Sequence, residues 1–124
     1  MHWADVVAIN LAKRGNSHIV STGITPSGEF HIGHLREILT GDMIAKTARK
    51  HGMEVDFIFI VDDADPLRRV YPFLHEDYHE YIGHQIGNIP APDENGKPDV
   101  EAVQKSGRNY ADHFLQPFLW YCHS

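Results

Sequence analysis

His31-Ile32-Gly33-His34 is the tetrapeptide with the most chemical potential in this chain of 124 residues. It closes a run that begins Thr22-Gly-Ile-Thr-Pro-Ser-Gly-Glu-Phe, where Gly23, Pro26 and Gly28 interrupt regular structure. His31 and His34 lie about one helical turn apart, so both rings can face the same group. A helix start offers unpaired backbone N–H groups and the positive end of the helix dipole, and imidazole donors added there suit a phosphate. Gly33 removes a side chain where a base or ribose would press on the backbone. A donor aimed at the charge that develops in the transition state is worth about 3–4 kcal/mol.

Two further groups carry chemistry. Asp62, Asp63 and Asp65 follow an apolar run and leave it at one edge of a sheet, where carboxylates can hold a substrate ammonium. Asp63 is the first choice and Asp65 the second; the bland reading is a solvated acidic turn capped by Arg68 and Arg69. His75-Glu76-Asp77-Tyr78-His79 fits HExxH, the zinc protease pattern, with His84 as a third ligand. Asp77 is charged where such a helix buries an apolar residue, and the spacing to Gly83 and His84 misses the extended pattern. Adventitious metal binding by His75, His79 and His84 is the alternative for this stretch. No GxxxxGK[ST] and no GxGxxG after the first strand is present, which argues against a P-loop or a nicotinamide dinucleotide site.

These groups need elements to position them. Trp3, Val6, Val7 and Leu11 share one face of a helix predicted over Trp3 to Arg14, with Gly15 as its stop. His18 to Gly23 reads as a strand, and residues 24–31 as a loop. Leu35, Ile38, Leu39, Met43, Ala45 and Ala48 keep helical spacing as far as Gly52. Val55 to Val61 is a continuous apolar run, the pattern of a strand covered on both faces. Strand, helix and strand make a right-handed βαβ crossover. Beyond it come a charged loop to Pro72, a short helix around Leu74 to Ile82, a turn-rich loop over residues 88–98 and a last helix over Ser106 to Tyr121 bent at Pro117. That helix carries Tyr110, Phe114, Leu115 and Phe118 on one side. Two strands are about half of what a doubly covered parallel sheet holds.

Composition bounds the partners. The formal charge is −6, and it is uneven: residues 1–72 hold 8 basic and 9 acidic groups, residues 73–124 hold 3 and 8. Neither half is the basic surface that non-specific nucleic-acid binding requires. No apolar run reaches the roughly 18–20 residues of a membrane span, and the N-terminus lacks a signal-peptide pattern. A single cysteine, Cys122, excludes an internal disulfide and stands in no nucleophile motif. A reducing, cytoplasmic setting is expected. Trp120 and Tyr121 are expected as core aromatics rather than a stacking platform for bases, since no basic stripe accompanies them.

The run TGITPSG-EF-HIGH resembles the signature loop of class I aminoacyl-tRNA synthetases. With Asp62-Asp-x-Asp-x-x-Arg-x-Val-x-Pro72 and Tyr110-Ala-Asp-His-Phe-Leu-x-Pro-Phe-Leu119, it is similar to one subfamily over about residues 17–119. That subfamily is the class I lysyl-tRNA synthetase. The resemblance implies an α/β, Rossmann-like nucleotide-binding fold of the HUP type, of which residues 1–124 are the N-terminal half. It implies lysine activation by ATP with Mg²⁺ and transfer to tRNA(Lys), the tRNA being met mostly by regions outside this chain. By the same resemblance, His31 and His34 are catalytic, Pro26, Ser27 and Gly33 join them at ATP, and Gly23, Thr25, Asp63 and Asp65 meet lysine. Mg²⁺ would come with the triphosphate and need few protein ligands, so no protein metal site is expected. No KMSKS-like segment and no anticodon-binding domain is present, and the chain ends at Trp120-Tyr-Cys-His-Ser124 in mid-helix. It is therefore expected to be the first part of a larger enzyme, inactive alone in tRNA charging and prone to self-association. The alternatives are a non-catalytic nucleotide-binding module and a HIGH-type adenylyltransferase for another small molecule.

Overall fold

The computed structural model describes the backbone of residues 1–123 and the side chains of residues 1–120, so the Tyr121 and Cys122 side chains lie outside the described residues. The chain divides into two compact units, Met1–Ile24 with His31–Ile60 and Thr25–Phe30 with Val61–Ser124. The elements of the first are α1 (Trp3–Ala12), β1 (Ser17–Ile24), α2 (Ile32–Lys50) and β2 (Glu54–Val61). β1 and β2 pair as a parallel two-stranded sheet, with α2 as the connection between them. The expected β-α-β core is therefore present.

What holds this unit together is small residues more than large ones. Its core joins Ala8, Ala45, Ala48, Met53 and Val55, with Leu11, Val20 and Phe57 partly buried against it. α1 buries Ala4 and Ala8, while Trp3 and Val6 of the expected face stay 48% and 47% exposed. In α2 the buried residues are Gly41, Ala45 and Ala48, and Leu39 and Met43 face solvent. Both corrections have one cause: a stripe of small side chains lets backbones approach closely, and larger apolar residues at its margin cannot follow. At Gly41 the approach is extreme. A Cβ there would collide with the Thr22 methyl and lie 2.9 Å from the Phe57 ring. Arg49 ties the far end of α2 to β2, donating from Nε and Nη2 to the Val55 carbonyl at 3.1 and 2.8 Å.

β2 does not have both faces covered. Val55 is buried and Phe57, Phe59 and Val61 are half-buried, whereas Ile58 and Ile60 are exposed, as is Ile19 on β1. The two helices of this unit lie on one side of an apolar ribbon.

The second unit has its own core of Leu67, Leu74, Tyr78, Ile86, Ile89, Tyr110, Ala111 and Phe114. Its helices are α3 (Val100–Ser106) and α4 (Tyr110–His123), with 3₁₀ turns at Glu76–Tyr81 and Ile86–Asn88. The last helix, expected over Ser106 to Tyr121, begins instead at Tyr110, and α3 before it was not expected. Gly107 takes a left-handed φ of +67° and stops α3, and α4 then runs through Pro117. Most of the rest is loop, held by backbone pairing that alternation of residue types did not reveal. Residues 63–67 run antiparallel to residues 83–87: Gly87 N–H donates to Asp63, Ile86 to Asp65, Leu67 to His84 and Gly83 to Leu67, all at 2.8–3.0 Å.

In an ordinary helix Gly→Ala stabilises by about 0.8–1 kcal/mol. At Gly41 the sign should reverse: Gly41→Ala should lose about 1–3 kcal/mol through overpacking. Urea unfolding of the variant checks this, and a stabilised variant would mean that α2 does not press on Thr22 and Phe57.

Candidate functional site

In the first unit β1 brings Gly23 to its C-terminal end, and α2 opens on the histidine tetrapeptide. His31 is the N-cap of α2, in extended backbone conformation. Its Nδ1 accepts the Gly33 N–H at 3.0 Å, and the His34 Nδ1 accepts the His31 N–H at 3.3 Å. This is a capping box built from two imidazoles. The rings stack at 3.9 Å between centroids, 18° from parallel. Because each Nδ1 is an acceptor, a neutral ring carries its proton on Nε2. The helix start thereby sets the tautomer of both histidines and makes Nε2–H the donor of each.

Two glycines of the predicted set have packing reasons of their own. A Cβ on Gly33 would lie 2.7 Å from His31 Cε1, so the glycine lets the capping ring fold over the turn. A Cβ on Gly23 would lie 2.8 Å from the Ile60 carbonyl oxygen, so β1 and β2 pair closely only with glycine there. Beside α2, Thr22, Gly33, Arg36, Glu37 and Thr40 line part of a cavity of about 550 Å³. The buried Thr22 Oγ1 has no hydrogen-bond partner among the described residues.

The second unit holds the remaining predicted residues: Thr25, Pro26, Ser27, Asp63 and Asp65. Ser27 N–H donates to the Thr25 carbonyl at 2.8 Å, and Pro26 is fully buried. Asp62, directly after β2, accepts the Ala64 N–H at 3.2 Å. Asp65 is occupied by Arg68, whose Nη2 lies 3.2 Å from Oδ1. The exposed Asp63 carboxylate has no hydrogen bond or ion pair among the described residues, while its backbone carbonyl is fixed by Gly87. A Cβ on Gly87 would meet Asp63 Cβ and Cγ at 3.3 Å. Asp63 is thus held by its backbone and free at its carboxylate.

The HExxH stretch does not form a zinc site. Glu76–Tyr81 is 3₁₀, with about three residues per turn, so residues four apart do not share a face. His75 is also committed as a cap, its Nδ1 accepting the Asp77 N–H at 3.2 Å. Among the described residues no group of three or more His, Cys, Asp or Glu is arranged to hold a metal. No helix among them is long and apolar enough to cross a membrane.

Trp120, expected in the core, is 74% exposed. The buried stripe of α4 runs through Tyr110, Phe114 and Phe118, and two residues on from Phe118 is about 200° around the helix. Trp120 lines a cavity of about 670 Å³ with Phe30, Arg108 and His113. Burial and the adjacent Arg108 push the His113 imidazole below its usual value, and Arg108 Nη2 lies 2.6 Å from its Nδ1. Sequence reasoning missed this cluster, because Phe30 is distant in sequence from Arg108, His113 and Trp120.

Residues 1–122 match the family of tRNA synthetases class I (K), and the chain belongs to that family. Its parallel βαβ unit is accordingly part of a Rossmann-like class I fold. Similar curated proteins are named lysine–tRNA ligase. That of Archaeoglobus fulgidus is 49% identical over 119 residues, 96% of this chain and 22% of the relative. Those of Methanosarcina barkeri (strain Fusaro) and Methanococcus maripaludis are 47% and 46% identical, again over 96% of this chain. The chain spans about a fifth of the length of these relatives.

Burial, and secondarily the neighbouring His31, lowers the His34 pKa from its usual value. The neutral ring is therefore favoured by folding. The sign follows: this contribution to stability is complete above about pH 6.5, the unfolded value. It is lost as pH falls through the lower folded value. Imidazole NMR should show His34 titrating below an ordinary histidine, and His31→Ala should move it upward. An unchanged midpoint would exclude His31 as a contributor.

Proposed function

We propose that this chain is the N-terminal, ATP- and lysine-binding part of a class I catalytic domain that makes lysyl-tRNA. The reaction joins lysine and ATP: a lysine carboxylate oxygen attacks the α-phosphorus, lysyl-adenylate forms and pyrophosphate leaves. A ribose hydroxyl at the end of tRNA(Lys) then attacks the adenylate carbonyl, releasing AMP. The observation that carries this reading is the imidazole pair at the start of α2. Two stacked rings with protons on Nε2 provide donors for ATP phosphates at the positive end of a helix. His31 and His34 are the catalytic residues in this reading, and Pro26, Ser27 and Gly33 complete the ATP contacts. Mg²⁺ travels on the triphosphate, which suits its preference for phosphate and water.

Gly23, Thr25, Asp63 and Asp65 form the lysine set, with Asp63 on the side-chain ammonium. Support for that order is the carboxylate of Asp63, unpaired among the described residues, against the Arg68-bound Asp65. Lysine–tRNA ligase names on relatives 46–49% identical support the amino acid. In this reading residues 1–124 form one part of the domain, and tRNA contact, the KMSKS lysine and anticodon reading belong to other segments of a cytoplasmic enzyme. The exposed Ile19, Ile58 and Ile60 then make the isolated chain self-associate.

Lysine-dependent pyrophosphate exchange by the full-length protein tests the activity. Replacing His31 and His34 together with Ala should abolish exchange, and a double variant with wild-type exchange would sink the assignment. Asp63→Asn should raise the KM for lysine by about tenfold or more through loss of a charge-assisted bond, with the KM for ATP within about twofold. Gly23→Ala should also lower exchange, but through the Ile60 carbonyl as well as through lysine. Sedimentation of the isolated chain should show dimers or larger species; a stable monomer that charges tRNA would overturn the partial-domain reading.

A further inference from the structure

The loop 25–30 has little of its own to fix its shape. Among the described residues its internal backbone bond is the one from Ser27 N–H to Thr25. Contacts within the second unit help secure it. Phe30 packs on Phe118 at 5.1 Å between ring centroids, and a Cβ on Gly28 would lie 3.0 Å from Phe73 Cζ. Both are apolar and impose no direction on a peptide group. A third is directional: the Tyr110 hydroxyl donates to the Ser27 carbonyl at 2.5 Å, across 83 residues of sequence.

Tyr110 is suited to that task. Its side chain is fully buried, and its ring is fixed by Phe114 at 4.8 Å and Tyr78 at 5.8 Å. Burial raises its pKa above the usual tyrosine range, so it stays a donor. A trans peptide is planar, with C=O and the following N–H on opposite sides. Turning the Ser27 carbonyl toward Tyr110 therefore turns the Gly28 N–H away from it. We propose that Tyr110 is a positioning residue, whose hydroxyl orients the Ser27–Gly28 peptide so that the Gly28 N–H is presented to a nucleotide phosphate. This rests on the ATP reading above. Glycine also suits the packing there, since a Cβ would press on the Phe73 ring at 3.0 Å.

Tyr78 supplies the control. It is equally buried, and its hydroxyl donates to the Pro90 carbonyl at 2.8 Å, in a loop outside the predicted site. Both Tyr→Phe changes delete one buried hydroxyl and keep the ring. In the full-length protein Tyr110→Phe should raise the KM for ATP about tenfold while the KM for lysine stays within about twofold. Tyr78→Phe should lose comparable thermal stability and leave both constants unchanged. By ¹⁵N NMR, ATP should shift the Gly28 amide in the wild-type protein and leave it nearly unmoved in Tyr110→Phe. Equal changes in both KM values, equal behaviour of the two variants, or an undiminished Gly28 shift in Tyr110→Phe would each overturn the proposal. If the wild type binds ATP but shows no lysine-dependent exchange, the activity reading fails, and the Gly28 result still decides the role of Tyr110.

Discussion

The closeness of α2 to the two strands is the constraint on which the first unit depends. Helix and sheet meet where Gly41 lies against Thr22 and Phe57, with Ala45 and Ala48 continuing the contact. An α-helix resting on a sheet through such small residues has little freedom to slide or roll, because each displacement brings backbone against side chain. That fixes where its first turn falls. The two histidines then do local work: each gives its Nδ1 to a backbone N–H that the helix cannot satisfy itself, and each is left with its proton on the outer nitrogen. A sheet contact in mid-helix and a tautomer at the helix start are parts of one arrangement.

The β-α-β core was legible because its signals are local. Apolar runs bounded by glycine and a helical spacing between them lead directly to β1, α2 and β2. The turn into α2 was legible for the same reason, since residues 22–34 are contiguous. The Tyr110, Phe114 and Phe118 face of α4 was legible too, as were Ala45 and Ala48 of α2, but the buried face of α1 and the middle of α2 were not. Apolar scale values favour Trp3, Val6, Leu39 and Met43, yet the packed stripes are alanine and glycine, and closeness of approach outweighs side-chain size when two backbones nearly touch. Residues 63–67 paired with 83–87 were equally hidden, because that ladder joins loops with no alternating pattern.

HExxH shows how far a motif depends on the helix that bears it. In an α-helix His75 and His79 would stand one above the other. In a 3₁₀ turn they diverge, and the first is absorbed by capping. The same residue type has opposite fates at His31 and His75. Both are N-caps, but His31 begins a helix of 19 residues whose dipole suits an anion, while His75 begins a turn of six.

The bond between Tyr110 and Ser27 also has a consequence in time. The ribosome makes Ser27 long before its partner, and a chain growing at about 5–20 residues per second needs roughly 4–17 seconds to cover the interval. Once β2 is made, β1, α2 and β2 can close on local contacts alone, whereas the six residues before His31 gain Phe73 only partway through that wait and Tyr110 and Phe118 only at its end. Loop 25–30 is thus among the last segments of this chain to acquire its shape during synthesis, although it precedes most of them in sequence.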